Sequence, residues 1–332
     1  MRTRQAAYIL TAFVLLFGMT GDAFAAEKLI VYTSMKQSLI GRLREAFVKN
    51  NPGIDMDYQS AGAGSLMSKI AAERESGKIL ADVIWTSEVP DFYKMKQDGM
   101  LEKYAPSSVK EVINPFDDYD GSFTAARLGT LGIAYNTRII KTAPTAWSDL
   151  TKPEYKGAFG IANPALSGTS YMSVALLAQQ FGWEFFNKLH ANGAKIGKGS
   201  GNVIDDTASG ELVASLAVDY ITFDKISKGA TMAMAYPKEM LVVPSPIAIF
   251  KNTPNLSAAK KFLDFILSKE AQTIVADEGT LPVRSDVPLP ARFNIPAPTD
   301  AMKRTMKVKY LDILDAKEKN VKQFTEIMQG KK

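Results

Sequence analysis

Apolar residues recur along this chain in an order typical of an α/β fold, with short β-branched runs that alternate with stretches of helical spacing. The first run covers residues 29–34, and similar runs cover residues 54–58 and 81–85. Each run is followed by apolar positions three or four residues apart, the spacing of one helix face. We therefore predict three consecutive strand–loop–helix units, which would build a parallel open sheet.

Each of these predicted strands ends in a turn rich in hydroxyl groups or glycine. The turns contain, in chain order, Thr33 and Ser34, then Gly64 and Ser65, then Thr86 and Ser87. The carboxyl ends of parallel strands share one edge of the sheet, and ligands of open α/β sheets bind at that edge. We predict that the six residues face a common ligand, although capping of the following helices is an alternative role for each hydroxyl.

A fourth turn, residues 163–171 with the sequence NPALSGTSY, leads directly into an apolar helical run. The first backbone N–H groups of a helix lack internal partners, and the helix dipole favours negative charge at that end. We predict that Ser167, Gly168, Thr169 and Ser170 bind the anionic group of a ligand. The local sequence leaves open that Ser167 or Thr169 only caps its own helix.

Two segments are predicted to cross between the halves of the chain. Residues 128–136 form a strand with small residues, and residues 241–250 form a strand whose two prolines indicate an edge or a linking position. Between them, residues 212–220 are predicted as a strand that ends at Asp219 and Tyr220. Because the carboxylate of Asp219 has no evident capping role there, we predict that it faces the ligand.

The chain is long enough for more than one hydrophobic core, so two lobes are expected. We place the first lobe at residues 26–130 together with 247–332, and the second lobe at residues 131–246. The two crossing strands would form the hinge between the lobes. Residues 299–330 show helical spacing and are predicted to form long terminal helices that brace the first lobe.

Residues 1–25 have the features of a secretory signal peptide. Two arginines precede an apolar run at residues 7–19, and the tripeptide Ala-Phe-Ala at residues 23–25 predicts cleavage before Ala26. The apolar run is short for a membrane span, and the chain has no cysteine to carry the lipid of a lipoprotein. We expect a soluble protein in the periplasm.

The composition argues against several classes of function. The formal net charge is +5, but the lysines are scattered, so the sequence has no nucleic-acid-binding signature. With no cysteine and the single histidine His190, the chain offers little material for Ser-His-Asp catalysis or for a metal site. We predict a binding protein without a cofactor, a structural metal or a catalytic group.

Several segments together resemble the periplasmic solute-binding proteins of ABC importers. They are Val31-Tyr32-Thr33-Ser34, Ala81-Asp82-Val83 with Trp85-Thr86-Ser87-Glu88, Leu131-Gly132-Ile133-Ala134-Tyr135-Asn136, Asn163-Pro164 with Ser167-Gly168-Thr169, and Tyr236-Pro237-Lys238-Glu239 with Pro244-Ser245-Pro246. The resemblance points to the branch of ferric-ion-, hexose-phosphate- and 2-aminoethylphosphonate-binding proteins. It implies a type II fold, in which two α/β lobes are joined by two crossing strands, and it implies delivery of a solute to a membrane permease.

The resemblance also bears on the ligand. Ferric members carry an adjacent tyrosine pair where this chain has Asp219-Tyr220. The histidine that they carry in their first loop is absent from this chain, where Lys36 occupies that region. Hexose-phosphate binders place acidic residues near Asp219 and Glu239. We therefore expect a small anionic organic solute, most simply a phosphorylated sugar or a phosphonate.

In this interpretation, different residues bind different parts of the ligand. The 167–170 turn would bind the anion from the second lobe, while the turns at 33–34 and 64–65 close over it from the first lobe. The rest of the molecule would be recognised by Thr86, Ser87, Asp219, Tyr220 and Glu239.

Two other functions stay open. One is an iron(III)-binding protein that uses Tyr220, and the other is a secreted enzyme on the same scaffold. The expected partners are the solute and the permease, with no nucleic acid, and the protein is expected to be a monomer.

Overall fold

The computed structural model of the protein describes residues 26–116 and 119–331. The predicted signal peptide, residues 1–25, lies outside the described residues. In the described part of the chain, no helix has the length and apolar character needed to cross a membrane.

The described chain alternates strands and helices, as the sequence predicts. The strands are β1 (Glu27–Thr33), β2 (Ile54–Ser60), β3 (Val83–Trp85), β4 (Thr124–Asn136), β5 (Phe159–Ala162), β6 (Lys195–Gly197), β7 (Ala214–Val218), β8 (Met232–Ala235) and β9 (Leu241–Ile249). The helices are α1 (Gln37–Asn50), α2 (Ala63–Glu75), α3 (Val89–Gln97), α4 (Gly168–Phe181), α5 (Trp183–Ala191), α6 (Ser200–Ser209), α7 (Asp219–Ser227), α8 (Leu256–Ile266), α9 (Lys269–Asp277), α10 (Pro298–Arg304), α11 (Tyr310–Asp315) and α12 (Lys317–Met328).

The strands form one sheet in the order β2-β1-β3-β9-β4-β7-β5-β6, and β8 pairs with β4. Strands β1, β2 and β3 are parallel to one another, and so are β5, β6 and β7. The two parallel sets are joined by β4 and β9, which run antiparallel to each other and to their neighbours β7 and β3. The sheet therefore has a β1–β3 side and a β5–β7 side, connected through two long strands.

The two prolines of β9 indicated an edge or a linking position, and the structure shows the linking one. β9 lies in the middle of the sheet and is buried along its whole length. A proline has no N–H to donate to a neighbouring strand. The register of β4 shifts between Ala125 and Arg127, next to the pairing of Ala125 with Pro246, so the ladder is irregular where that donor is missing.

Two local predictions are wrong. The strand expected at residues 212–220 ends at Val218, and Asp219 and Tyr220 instead begin helix α7. The long helices expected within residues 299–330 are the three shorter helices α10, α11 and α12. The short strand β6 had no clear sequence signal.

The last two helices contact both sides of the sheet. Helix α11 packs against α3, whereas α12 packs against α4 and α5. Phe324 of α12 is fully buried, and its ring meets that of Phe186 edge-on at a centroid distance of 5.4 Å. The C-terminal segment thus bridges the β1–β3 side and the β5–β7 side.

Candidate functional site

A cavity of about 320 Å³ lies between the two sides of the sheet, where loops from both sides meet. Its walls are made by turns that follow β1, β2, β3, β5, β6 and β7. The lining comprises Ser34, Lys36, Ala61, Gly62, Ala63, Ser65, Ser87, Arg127, Leu166, Ser167, Gly168, Thr169, Lys198, Gly199, Ser200, Gly201, Asn202, Val218, Tyr220 and Ile221. Three of these residues are cations, and none of the described lining residues is acidic.

Several helices begin at this cavity. The N-cap residues of α1, α2, α4 and α6 all belong to the lining: Lys36, Gly62, Ser167 and Gly199. The first N–H groups of a helix have no partner within the helix, and the dipole places partial positive charge there. Val218, the N-cap of α7, also lines the cavity, so five such termini favour an anionic group there.

Three hydroxyl groups form a closed triangle on the β5–β7 side of the cavity. The Oγ atom of Ser167 lies 3.1 Å from Oγ1 of Thr169 and 3.0 Å from Oγ of Ser200, and the remaining side, between Thr169 and Ser200, is 2.9 Å. Ser167 also caps α4, since its Oγ accepts a hydrogen bond from the Ser170 N–H. Each hydroxyl can rotate its proton toward an incoming oxygen atom, so the triangle can supply donors to an anion.

The buried base of the cavity is formed by Arg127, a residue that sequence reasoning missed. Its guanidinium group lies beneath the lining and is 1% exposed. Nη1 donates to Oγ1 of Thr280 at 2.7 Å and pairs with Oδ1 of Asp219 at 3.3 Å, while Nη2 donates to Oγ of Ser87 at 3.3 Å. Nε donates to Sδ of Met35 at 3.2 Å, so the described contacts leave one N–H group, on Nη2, for a ligand anion.

The carboxylate of Asp219 is occupied by groups of the protein. Oδ2 accepts from the backbone N–H and the hydroxyl of Thr130 and from the hydroxyl of Thr280, at 2.7, 3.0 and 2.6 Å. Oδ1 accepts from the N–H of Tyr220 at 2.7 Å and faces Arg127. Burial raises the pKa of Asp219, and Arg127 and these donors oppose that shift. The structure therefore places Asp219 behind Arg127, outside the cavity lining.

Gly129 makes room for the guanidinium group. A Cβ atom at this position would lie 3.0 Å from both Nη1 and Nη2 of Arg127. A glycine inside a strand often marks such a close approach. Gly129 is therefore the feature of the sequence that could have indicated a buried Arg127.

The mouth of the cavity carries two exposed lysines, Lys36 and Lys198. The backbone N–H of Lys36 donates to the Tyr220 hydroxyl at 2.9 Å, a hydrogen bond that joins α1 to α7 across the cavity. Burial raises the pKa of Tyr220 to about 12, although Arg127, 4.9 Å from the ring centroid, opposes the shift. Tyr220 is thus a neutral hydroxyl at neutral pH.

Seven of the thirteen predicted site residues line the cavity: Ser34, Ser65, Ser87, Ser167, Gly168, Thr169 and Tyr220. Ser34 and Ser87 also contact each other, since the Ser87 N–H donates to the Ser34 Oγ at 3.2 Å. The turns after β1, β2 and β3 therefore converge, as their positions at the carboxyl ends of parallel strands predict, whereas the turn after β5 belongs to the oppositely directed β5–β7 set and meets them across the cavity.

The other six predicted residues lie behind or beside the lining. Three of them use their hydroxyls for local turns: Thr33 accepts from the Met35 N–H, Thr86 accepts from the Glu88 N–H, and Ser170 donates to the Ala162 carbonyl. Glu239 contributes its backbone carbonyl, which accepts from the indole N–H of Trp147 at 2.9 Å. Asp219 forms an ion pair with Arg127, and Gly64 lies where the two sides of the sheet touch.

Three glycines allow the two sides of the sheet to touch beside the cavity. A Cβ atom on Gly62 would lie 2.3 Å from the Leu166 carbonyl oxygen, and one on Gly64 would lie 2.2 Å from the Ala165 carbonyl oxygen. On the opposite side, a Cβ atom on Gly168 would lie 2.6 Å from the Cβ of Glu88. We call the contact of residues 62–64 with residues 165–168 the glycine seam.

A buried ionic cluster lies next to the glycine seam. The ammonium group of Lys317, from α12, is 2.5 Å from Oε1 of Glu88 and 2.7 Å from Oδ1 of Asp91. It also lies 5.7 Å from the ring centroid of Tyr171. One lysine faces two buried carboxyl groups, so one of the two retains a proton more readily than usual. Burial raises the pKa of Glu88 to about 8, the negative charge of Asp91 adds to the shift, and Lys317 opposes it.

The stability of the protein should therefore depend on protonation of Glu88. The pKa of a free glutamate is 4.5, so between pH 5 and 8 the folded protein keeps a proton that the unfolded chain releases. The free energy of unfolding should fall as pH rises through this window, by up to about 1.4 kcal/mol per unit. Glu88→Gln should flatten this slope in urea unfolding curves, whereas the surface variant Glu326→Gln should not. Equal slopes in the wild type and Glu88→Gln would contradict the assignment.

The described residues contain no group of three or more His, Cys, Asp or Glu side chains that could hold a metal ion. Tyr220 faces the cavity without a second tyrosine beside it, and the neighbouring Asp219 turns toward Arg127. Iron(III) prefers several hard anionic ligands. The described lining provides cations and neutral hydroxyl groups instead.

Comparison with known proteins identifies relatives over most of the chain. Residues 78–312 match the family described as bacterial extracellular solute-binding protein. The chain is 28% identical over 277 residues to an uncharacterised protein of Haemophilus influenzae, with 79% of each chain covered. It is 27% identical over 255 residues to a putative 2-aminoethylphosphonate-binding periplasmic protein of Salmonella typhimurium, with 73% of each covered.

Solved structures show the same fold. The periplasmic binding protein AfuA of Actinobacillus pleuropneumoniae, with fructose-6-phosphate bound, has a TM-score of 0.80 and 24% identity, covering 91% of this chain and 98% of AfuA. Iron-bound HitA of Pseudomonas aeruginosa has a TM-score of 0.76 and 23% identity, covering 90% and 99%. These likenesses confirm the predicted two-lobed α/β fold. The chain belongs to the family of bacterial extracellular solute-binding proteins, the ligand-capturing components of ABC transporters, and has the type II fold of periplasmic binding proteins.

Proposed function

We propose that the protein captures a small anionic organic solute, a phosphorylated sugar or a phosphonate, between its two lobes and delivers it to a membrane permease. The observation that carries this proposal is the charge of the cavity. Arg127, Lys36 and Lys198 line it together with several helix N-termini, and no described lining residue is acidic. Relatives and structural neighbours named for phosphonate and sugar phosphate binding support the same class of ligand.

The proposed role of each residue follows from its position in the cavity. The Ser167, Thr169 and Ser200 hydroxyls, with the first N–H groups of α4 and α6, bind the anionic group from the β5–β7 side. Arg127 binds it from below through the remaining N–H group of Nη2, since Asp219, Thr280 and Met35 hold the guanidinium group in place. From the β1–β3 side, the ligand is enclosed by Ser34, Ser65, Ser87 and Lys36.

We propose that the lobes are residues 26–130 with 247–332, and residues 131–246, with β4 and β9 as the hinge. The glycine seam and the hydrogen bond from Lys36 to Tyr220 then form only when the lobes close over the ligand. Residues 1–25 would direct the chain to the periplasm as a cleaved signal peptide. The protein would act there as a monomer, with the permease as its protein partner and without nucleic acid.

Iron(III) is the second candidate ligand, because HitA carries iron on the same fold and Tyr220 lines the cavity. An iron-loaded protein would be coloured by a tyrosinate-to-iron band, and Tyr220→Phe would abolish the band. A secreted enzyme on this scaffold is the third possibility. It requires turnover of a sugar phosphate or phosphonate, whereas the named relatives are binding proteins.

A charge introduced at the hydroxyl triangle tests the proposal. Thr169→Asp should weaken binding of glucose 6-phosphate at least about 100-fold, because a carboxylate would face the phosphate at hydrogen-bond distance. Thr169→Asn is the matched control, since it has nearly the same shape without the charge, and it should retain measurable affinity. Isothermal titration calorimetry measures both variants, and thermal unfolding checks that both remain folded.

A mass spectrum under non-denaturing conditions addresses the native ligand directly. Protein purified from the periplasm should carry an additional organic mass of a few hundred daltons that is lost on denaturation. An additional mass equal to iron would favour the ferric alternative instead.

One outcome of the calorimetry would contradict the role proposed for the hydroxyl triangle. If Thr169→Asp bound the sugar phosphate as tightly as the wild type, the hydroxyl triangle would be only a helix cap.

A further inference from the structure

The cavity has many hydrogen-bond donors and cations but lacks a free carboxylate. Arg127, Lys36 and Lys198 are the cations of the described lining, and its polar side chains are otherwise hydroxyls and the amide of Asn202. A ligand carboxylate, phosphate or phosphonate finds charged donors there. A ligand ammonium group would meet only neutral acceptors in the described lining, near the two lysines and an arginine whose charge Asp219 balances.

The nearest buried carboxylates cannot serve such an ammonium group. Both oxygens of Asp219 accept hydrogen bonds from the protein, and its charge is paired with Arg127. Glu88 lies behind Gly168, where its Cβ and Oε2 would be 2.6 and 3.0 Å from an added Cβ, and it is paired with Lys317. To reach Asp219, a ligand would have to displace a buried ion pair, which costs several kcal/mol. Glu88 is separated from the cavity by Gly168 and has a pKa raised by burial, so it keeps its proton at neutral pH.

Two further carboxylates lie in an outer groove of about 350 Å³, which shares Lys36, Gly201, Asn202 and Ile221 with the cavity. Each of them has its own lysine. Asp205 pairs with Lys225 at 2.6 Å, and Asp224 pairs with Lys228 at 2.8 Å. With Lys36 also present, the outer groove adds no net negative charge to attract an ammonium group.

We infer that the site selects phosphate esters and phosphonates that carry hydroxyl groups, and discriminates against the matching compounds that carry an ammonium group. This inference rests on the proposed function and narrows it. It separates the protein from the ligand for which the Salmonella relatives are named, 2-aminoethylphosphonate. The physical cause is the desolvation of an ammonium group and its repulsion by Lys36 and Lys198, with no free carboxylate in the described lining to offset either, since Asp219 balances only the charge of Arg127.

The lack of acidic groups has a second consequence for the bound anion. A monoprotonated phosphate needs an acceptor for its proton, and a carboxylate is the usual strong acceptor. The cavity instead favours the dianion, which predominates above the second ionisation of a phosphate ester, near pH 6. Affinity for a sugar phosphate should therefore increase about tenfold from pH 5 to pH 7.

Matched ligand pairs test the selection. One pair is 2-hydroxyethylphosphonate and 2-aminoethylphosphonate, and the other is glucose 6-phosphate and glucosamine 6-phosphate. The members of each pair differ only by a hydroxyl group and an amine. Titration calorimetry at pH 7 should show the hydroxyl compound binding at least about tenfold more tightly in any pair that binds. Asn202→Asp, which adds a carboxylate of nearly the same shape to the lining, should reduce or invert this preference.

The outcomes separate the inference from the proposal on which it rests. Equal or tighter binding of the amine in either pair overturns the inference and leaves the anion-binding function intact. If none of the four compounds binds, both fail, and the ferric alternative becomes the better explanation. A preference that Asn202→Asp does not change would overturn the charge argument, because the selection would then come from shape.

Discussion

Replacing Asp219 with alanine is expected to destabilise the folded protein by about 3–5 kcal/mol. The substitution leaves the guanidinium group of Arg127, 1% exposed, without the carboxylate that balances its charge. It also removes the acceptor for the Thr130 N–H and the Thr280 hydroxyl. Urea unfolding followed by circular dichroism measures the loss, and the affinity for sugar phosphate should fall as Arg127 loses its position.

The matched control is Asp224→Ala, in the same helix. Asp224 forms a surface ion pair with Lys228, whose side chain is 66% exposed, and such pairs contribute about 0–1 kcal/mol. Asp219→Asn is a second test, because it keeps the size of the side chain but loses the charge, and it should lie between the wild type and Asp219→Ala. Equal stability of Asp219→Ala and Asp224→Ala would show that Asp219 does not hold Arg127.

Substitution of Gly64 by alanine is expected to impair closure of the lobes without harming either one. In the structure, which we propose to be the closed form, the new Cβ would lie 2.2 Å from the Ala165 carbonyl oxygen, so the glycine seam could not form without a shift of backbone. Overpacking of this kind costs about 1–3 kcal/mol. Because only the closed form bears that cost, affinity for the sugar phosphate should fall about 5- to 150-fold.

Gly53→Ala serves as the control, because a Cβ atom at Gly53 would have no neighbour within 4 Å. Ligand-free Gly64→Ala should unfold at nearly the wild-type temperature, since the open form has no seam to disturb. Small-angle scattering should show that ligand reduces the radius of gyration of the wild type and Gly53→Ala, and reduces that of Gly64→Ala less. If Gly64→Ala bound the sugar phosphate as tightly as the wild type, ligand binding would not require the glycine seam.

The sequence predicted the order of elements and the place of the site better than it predicted individual contacts. The strand–turn–helix units are regular, and the carboxyl ends of parallel strands share one edge, so the sequence pattern alone groups Ser34 and Ser87, whereas Thr169 follows β5 of the oppositely directed set and joins them only through the fold. The 163–171 turn was identified because the capping signal of α4 is local.

The sequence pattern did not indicate that Arg127 belongs to the site, and the reason is physical. Arg127 lies inside β4, and its contacts with Ser87, Asp219 and Thr280 join positions far apart in the chain. Local patterns do not report such contacts. For the same reason Asp219 was interpreted as a ligand contact, although its partner is an arginine of the protein.

Lys198 and Ser200 lie in a segment that carries a local sequence signal. Residues 197–201, Gly-Lys-Gly-Ser-Gly, form a turn of small residues at the N-terminus of α6, similar in character to the turn before α4. A lysine within such a turn would have indicated an anion site. The position of this turn opposite α1 depends on the pairing of β6 with β5, and β6 had no clear pattern.

The central position of β9 determines how the protein can fold. Strand β3 pairs with β1 on one side, but its other neighbour is β9, so Val83 meets Ile249 only after most of the chain has been synthesised. Contacts of such high sequence separation slow folding, because the chain must close a long loop before they form. The N-terminal half therefore cannot complete its sheet alone, and we expect it to stay unfolded during synthesis, which would suit the export that we propose for residues 1–25.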